Sequence, residues 1–569
     1  MLSRHRALVL PTLLGIFVFA LYIFTFGNDL QGNGDTLLRF QTTQAIMTTG
    51  SVFVHHPEWY DERMVSAYHR PPVTIYDPGQ IFAMIPLYIV GKVLAHHVTG
   101  DYRYTPIYTT HMLDDIFGAL ATVLFFFIAV RLGYSRRVSV ILALIYAFAS
   151  VAWPDAESML EHTEVTFFLL LAVLLTLKFV QTGHRKRRWL GLSGLSIGCA
   201  FLTRYDTGVL LPLIPLYAAA TRMALRQPIL HPVDPRYPSQ PADTPWSILR
   251  RSWRDRTLVR SILEDWIAYV GGVIPAFVGA AAWNYARFQS FTKTGIPATF
   301  GEPILRGLSG LVLSPGKGIL WYMPIIFALP FVVRQFYRQH KLITGFFGAI
   351  VLVELLLFST VIYWHGDPAW GPRYIYSATP FLVFPLGIIL ERWSQLQRLA
   401  RWSFVGLVAL SFSVQLVGVV SPQYRFWYRE IHAQLAAHQG FNWGPKYGHF
   451  WYYYYWDLNR NPILEGYENL YQITALRLFG QQQYDLTATP IPAGMHMDLS
   501  NPNNNYEINN YNLWWLGVRT PFIGTHKDAA LAFLWFLLAV FSGALMWKEL
   551  NYSGIASNRV VVELKRRPA

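Results

Sequence analysis

Runs of about 16–25 apolar residues, broken by short polar stretches, recur along most of the chain. A helix needs about 20 apolar residues to cross the hydrocarbon of a bilayer, and it satisfies all its backbone groups internally. Twelve crossings are predicted on this basis, near residues 7–26, 106–130, 138–153, 165–181, 189–203, 207–221, 266–285, 318–333, 342–363, 375–391, 403–420 and 529–547. The first run follows Ser3-Arg4-His5-Arg6, and no small-x-small cleavage site follows it. It reads as an uncleaved signal anchor. Another apolar stretch, GQIFAMIPLYIVGKVLA over 79–95, is also apolar enough to span. The pattern as a whole predicts an all-α polytopic membrane protein.

Composition narrows the class. Of 569 residues 53% are hydrophobic and 14% charged, against about 25% charged in soluble proteins. The mean hydropathy is +0.27. A disordered chain and an ordinary cytosolic enzyme are excluded, and with one cysteine, Cys199, so is a disulfide scaffold. The net charge of +14 raises the question of nucleic acid. Its placement answers it. The two termini and the loops around Arg131–Arg137, Arg185–Arg188, Arg222–Arg260, Arg334–Lys341 and Arg392–Arg401 hold more than half of the 47 lysines and arginines in about a fifth of the chain. The positive-inside rule puts this set, and both termini, in the cytoplasm. Counting 79–95 as a crossing would invert every later loop. It is therefore expected to be an amphipathic or re-entrant helix on the outer face. The long cytoplasmic loop 222–265 has no glycine-rich phosphate cradle, and no internal repeat of the inverted-transporter kind is evident.

The opposite loops carry candidate chemistry. The first, 27–105, contains GNGDTLLRFQTTQAI with Asp35, and the second is PDAESMLEHTE with Asp155, Glu157, Glu161 and Glu164. Later loops on the same side supply Arg204 and Asp206 in LTRYD, Lys317 in SPGKG, and His365, Asp367 and Arg373 in WHGDPAWGPRY. Carboxylates serve as general bases toward a hydroxyl. Arg, Lys and His neutralise a phosphate leaving group. A helical bundle can bring such helix ends together around one cavity at the lipid boundary, where a substrate on a polyprenyl tail is reached without extraction. Blander readings stand beside these. Asp35 reads as a helix N-cap, the second-loop acids as a solvated charge cluster, and Arg204 and Asp206 as a self-contained pair. Lys317 reads as a turn residue and Arg373 as an interface anchor.

Taken in order, these segments resemble the GT-C superfamily of membrane glycosyltransferases, which includes protein O-mannosyltransferases and the aminoarabinose transferase of lipid A. The resemblance rests on GDTLLRFQTTQAI (34–46), YDPGQIFAMIPLYIVG (76–91), AWPDAESMLEHTE (152–164), FLTRYDTGVLLPLIPLY (201–217), SPGKGILWYMP (314–324) and WGPRYIYSATPFLVFPLG (370–387). The first departs from the commoner Asp-Glu pair, since Thr36 follows Asp35. The resemblance implies a GT-C-like bundle of about twelve crossings. It also implies an inverting transfer of sugar from a polyprenyl-phosphate donor to a hydroxyl on a glycan, lipid or protein, in a bacterial or archaeal cytoplasmic membrane. Asp35 would be the catalytic base. Asp155 or Glu161 would bind the acceptor or a divalent cation. Arg204, Lys317, His365 and Arg373 would meet the donor phosphate. Two alternatives stand beside it: a transporter or flippase of a lipid-linked sugar, and a non-catalytic sugar-binding membrane subunit.

Three further features bear on the expectation. Glu354 lies inside IVLVELLLF, where a carboxylate is costly; it is expected to be protonated or bonded to a neighbouring helix. Asp114 and Asp115 read as a structural pair at a helix start. No His/Cys spacing suits zinc. The catalytic module is expected over 1–421. Residues 422–527, rich in Asn and aromatics, form an extracytoplasmic insertion, and 528–569 the last crossing and a basic tail.

Overall fold

The computed structural model describes residues 2–27, 34–54, 64–65, 72–226, 255–295, 300–366, 369–421, 454–479, 511–516 and 525–565. The protein is an all-α polytopic membrane protein. Among the described residues the sheet structure is one ribbon, in which Met64 and Val65 pair antiparallel with Thr74 and Val73. Ten helices are long and apolar enough to cross a membrane. Nine fall on the expected crossings, and the tenth is Pro78–Thr99. The other three expected crossings fall on shorter elements. Arg136–Phe148 has 13 residues and Arg188–Thr203 has 16, about 20 and 24 Å of helix. The third is split into Ile319–Tyr322, Pro324–Ala328 and Leu329–Gln339. Proline explains the split: Pro324 and Pro330 have no N–H to continue a helix.

The bundle has two chemically distinct ends. At one, Arg131 donates to Gln181, Arg187 reaches Glu264 at 2.5 Å and Asp265 at 3.0 Å, and Arg222 reaches Asp265 at 2.6 Å. These are the loops read as cytoplasmic. At the other end the Trp514 indole donates to the Ile23 carbonyl at 2.8 Å and Trp153 to the Thr25 hydroxyl at 3.0 Å. The first and last long helices, Leu2–Thr25 and Thr525–Lys565, pack side by side through Phe19–Trp535 and Phe24–Phe536. Phe125, in the last third of Tyr104–Arg131, is stacked between Tyr146 and Phe384, with centroids at 4.9 and 4.0 Å. Dispersion between such close faces holds the helices where lipid offers no hydrophobic contrast.

Helix Arg188–Thr203 meets Arg256–Phe288 through small residues. A Cβ on Gly194 would lie 2.1 Å from the Tyr269 carbonyl oxygen, and one on Gly272 would lie 1.9 Å from that of Gly191. The two backbones approach closely because the contact carries no side chain.

The stretch 78–99 is broken into Pro78–Ala83, Ile85–Leu94 and a closing turn at Ala95–Thr99. Gly79 packs on Thr203, and Gly91 on Pro106. Thr203 ends one helix and Pro106 lies near the start of another, so both contacts are at the end opposite the Arg131–Gln181 pair.

Candidate functional site

Asp35 stands in the first turn of helix Gly34–Thr49. Its Oδ1 accepts the Tyr76 hydroxyl at 2.5 Å. The next residue, Thr36, donates to the Met159 carbonyl at 3.0 Å. This ties the helix start to the second acidic loop and accounts for a hydroxyl where an acid is commoner. One turn on, Arg39 places its guanidinium 4.1 Å from the Tyr76 ring and 2.5 Å from Glu161. The Glu161 carboxylate lies on the other side 3.7 Å from Arg204. Burial alone would raise the Glu161 pKa, but Arg39 and Arg204 outweigh it and hold the group below the usual range, hence ionised.

Arg204 continues the chain of contacts. It pairs with Asp206 as well as Glu161, so the local pair read from sequence is only part of its role. Its guanidinium lies 5.4 Å from both the Phe358 and Tyr374 rings, which are stacked at 5.0 Å. Arg373 lies 5.1 Å from the Tyr374 ring, and His162 meets the same ring edge-on at 6.3 Å. Tyr374 is therefore the hub where two later loops meet the second. Asp155 joins through His162: its Oδ2 accepts Thr163 at 3.2 Å, and its Oδ1 lies 3.6 Å from His162 Nδ1.

Lys317 and His365 form the deep side. Lys317 is fully buried, donates to the Ala369 carbonyl at 2.5 Å, and lies 5.2 Å from the Tyr455 ring. The His365 ring packs on Tyr455 at 5.4 Å. Burial, then the charges of Lys317 and Arg373, push His365 well below its usual pKa. It is a neutral imidazole, suited to give a hydrogen bond rather than a proton.

The structure thus gathers Asp35, Glu161, Arg204 and Arg373 along one chain of contacts. Asp155 attaches through His162, and His365 through the next residue, Gly366, where a Cβ would lie 2.7 Å from Arg373 Cγ; Lys317 and His365 share the Tyr455 ring. The second-loop acids are not a solvated cluster: Asp155 and Glu164 are buried, and the Glu161 side chain is 13% exposed. Asp367 and most of 422–527, with its expected role as an insertion, lie outside the described residues. Asp114 and Glu164 accept from the Gln80 amide at 3.5 and 3.0 Å. Glu354 accepts Ser377 at 2.7 Å, the bonded alternative. As to a divalent cation, no three His, Cys, Asp or Glu among the described residues are gathered as a ligand set, and Glu161 is taken up by two guanidiniums.

Sequence reasoning missed Arg39, Tyr76, His162, Tyr374 and Tyr455. Arg39 had a signal, four residues after Asp35 on the same helix face. Tyr455 had none beyond an aromatic run.

Residues 95–233 match the family model described as dolichyl-phosphate-mannose-protein mannosyltransferase. The matched stretch contains Asp155, Glu161 and Arg204. The chain is similar to the crystal structure of ArnT from Cupriavidus metallidurans bound to undecaprenyl phosphate, at 12% identity over 94% of this chain and 77% of that one, TM-score 0.43. The apo form of the same protein aligns at 13% identity over 89% and 85%, TM-score 0.45. The apo oligosaccharyltransferase of Archaeoglobus fulgidus aligns at 14% over 71% and 54%, TM-score 0.38. No curated protein matches. The family match and these structures are all GT-C glycosyltransferases, the superfamily that the sequence motifs resemble.

Proposed function

We propose that the protein is an integral-membrane glycosyltransferase that moves a sugar, with inversion, from a polyprenyl-phosphate donor to a hydroxyl acceptor on the extracytoplasmic face. The observation that carries the reading is the unbroken run of contacts from the Asp35 carboxylate through Tyr76, Arg39, Glu161 and Arg204 to Tyr374 and Arg373. It sets a carboxylate and several cations in one cluster at the end of the bundle opposite the basic loops. The match to mannosyltransferases over 95–233 supports the reaction class. The undecaprenyl phosphate named with ArnT supports a lipid-phosphate donor.

In this reading Asp35 removes the acceptor hydroxyl proton. The oxygen attacks the anomeric carbon from the face opposite the leaving group, and the bond from that carbon to the phosphate oxygen breaks. The phosphate gains one negative charge as it leaves. Arg204 and Arg373 meet it with forked donors, Lys317 with a point charge, and His365 with a hydrogen bond. Asp155 and Glu161 shape the acceptor side, Glu161 by holding Arg39 and Arg204 in place. The aromatic rings of Tyr374 and Tyr455 exclude water around the charges.

The test uses purified protein in liposomes and a panel of synthetic undecaprenyl-phosphate sugars, with release of undecaprenyl phosphate as the readout. Asp35→Asn is expected to lower kcat by about 100-fold or more with donor binding retained. Unchanged turnover in that variant removes Asp35 from the mechanism. Movement of lipid between leaflets without release of any sugar would replace the transferase reading by the flippase one.

A further inference from the structure

Tyr76 is held at both ends by different parts of the molecule. Its hydroxyl meets Asp35. Its carbonyl accepts two side-chain donors from the far end of helix Arg256–Phe288: Arg287 Nη1 at 3.0 Å and Trp283 Nε1 at 3.2 Å. Arg287 Nη1 also donates to the Thr74 carbonyl at 2.8 Å, and its Nη2 to Asn284 Oδ1 at 2.9 Å. The guanidinium lies 5.0 Å from the Trp283 ring and is 1% exposed. Just past the same helix, Gly295 meets the segment that leads into Tyr76; a Cβ there would lie 2.1 Å from the Ile75 carbonyl oxygen. A buried guanidinium is costly unless its donors are used. Here at least three hydrogen bonds use them, and two of these fix the short extended segment that presents Tyr76.

We propose that Arg287 is a positioning residue for Asp35, acting through Tyr76. The proposal rests on the reading of Asp35 as the base. Arg287 and Trp283 pin the Tyr76 carbonyl, the backbone so fixed aims the phenol, and the phenol holds one carboxylate oxygen. The other carboxylate oxygen is thereby set in one orientation toward the acceptor. A phenol donating to a carboxylate also favours its ionised form. The charged and titratable groups around this relay are Arg39 and Glu161 on the Asp35 side, and Asp77, Tyr205, Asp206 and Arg287 on the Tyr76 side.

The test reads Asp35 directly, without a donor. Dicyclohexylcarbodiimide attacks protonated carboxyls, and peptide mass spectrometry gives the labelled fraction of Asp35 against pH in the full-length protein in liposomes. Tyr76→Phe is expected to move the labelling midpoint up by about one pH unit, the worth of one hydrogen bond to a charged group. Arg287→Gln moves it in the same direction, Arg287→Lys stays nearer the wild type, and Tyr76→Phe with Arg287→Gln goes no further than Tyr76→Phe alone. A folded Arg287→Gln protein with the wild-type midpoint overturns the proposal, as does a shift that adds fully to that of Tyr76→Phe. Should Arg287→Gln fail to fold, Trp283→Phe decides, with a smaller upward shift expected and an unmoved midpoint overturning. The two readings separate cleanly. If the midpoints shift as stated but the wild type releases no undecaprenyl phosphate from any sugar donor, the relay stands and the role of Asp35 as base falls.

Discussion

Asp77 sits one residue beyond Tyr76, and its carboxylate accepts the Tyr205 backbone N–H at 2.9 Å. Burial pushes its pKa up to about 7, although the Tyr205 N–H and Arg287 pull the other way. The folded protein therefore holds a proton on Asp77 that the unfolded chain gives up near pH 4. More protons bound in the native state means that stability falls as pH rises from about 4 to about 7, by a few kcal/mol at most. Asp77→Asn keeps the side-chain oxygen for the Tyr205 N–H and removes the titration. Its thermal midpoint in detergent is expected to fall less between pH 5 and 7 than that of the wild type; equal slopes would mean that Asp77 is not the group responsible. Glu161 behaves oppositely. Its contribution is present above the usual carboxylate range and is lost as pH falls through its lowered pKa. The residue types at these positions were readable. The difference between the two acids was not, because it comes from Arg39 and Arg204, which reach Glu161 from elements far apart in sequence.

The pair of helices Arg188–Thr203 and Arg256–Phe288 carries Arg204 at one end and, on the partner, the Arg287 relay. Their spacing sets the distance between those two groups. Gly272 meets the Gly191 carbonyl, whereas Gly271, its neighbour, meets nothing within 4 Å. Gly272→Val is expected to cost about 3 kcal/mol or more, since the clash is with backbone that cannot rotate away. Gly271→Ala is expected to leave the thermal midpoint unchanged or slightly raised. A scan of both variants in detergent separates packing from helix propensity; similar behaviour of the two would contradict the close approach. Apolar runs in the sequence marked both helices, and their glycines hinted at a contact. Which glycine faces which carbonyl depends on the rotation of each helix about its axis, which pattern alone leaves open.

Considered whole, the bundle separates basic loops at one end from the acid–cation cluster at the other. If the charge asymmetry orients it, cysteines placed at Ser51 and at Asp101, in a Cys199→Ala background, both react from outside with a membrane-impermeant maleimide. One placed at Arg185 reacts only after permeabilisation. Reaction of Ser51 and Asp101 positions from opposite sides would mean that 78–99 crosses the membrane after all. Hydrophobic run length was enough to assign the class of protein and most of its long apolar helices, because the cost of moving polar groups into hydrocarbon acts segment by segment; the bias of lysine and arginine sets the side on which the chemistry is expected. Candidate residues were nominated by type and by resemblance. What only the tertiary structure decided is how they combine: Tyr76 against Asp35, Glu161 between two guanidiniums, Tyr374 as the meeting point of three loops, and Arg287 behind Tyr76. These depend on which helix ends come together and at what rotation. Packing of side chains distant in the sequence decides that, and a linear pattern carries no record of it.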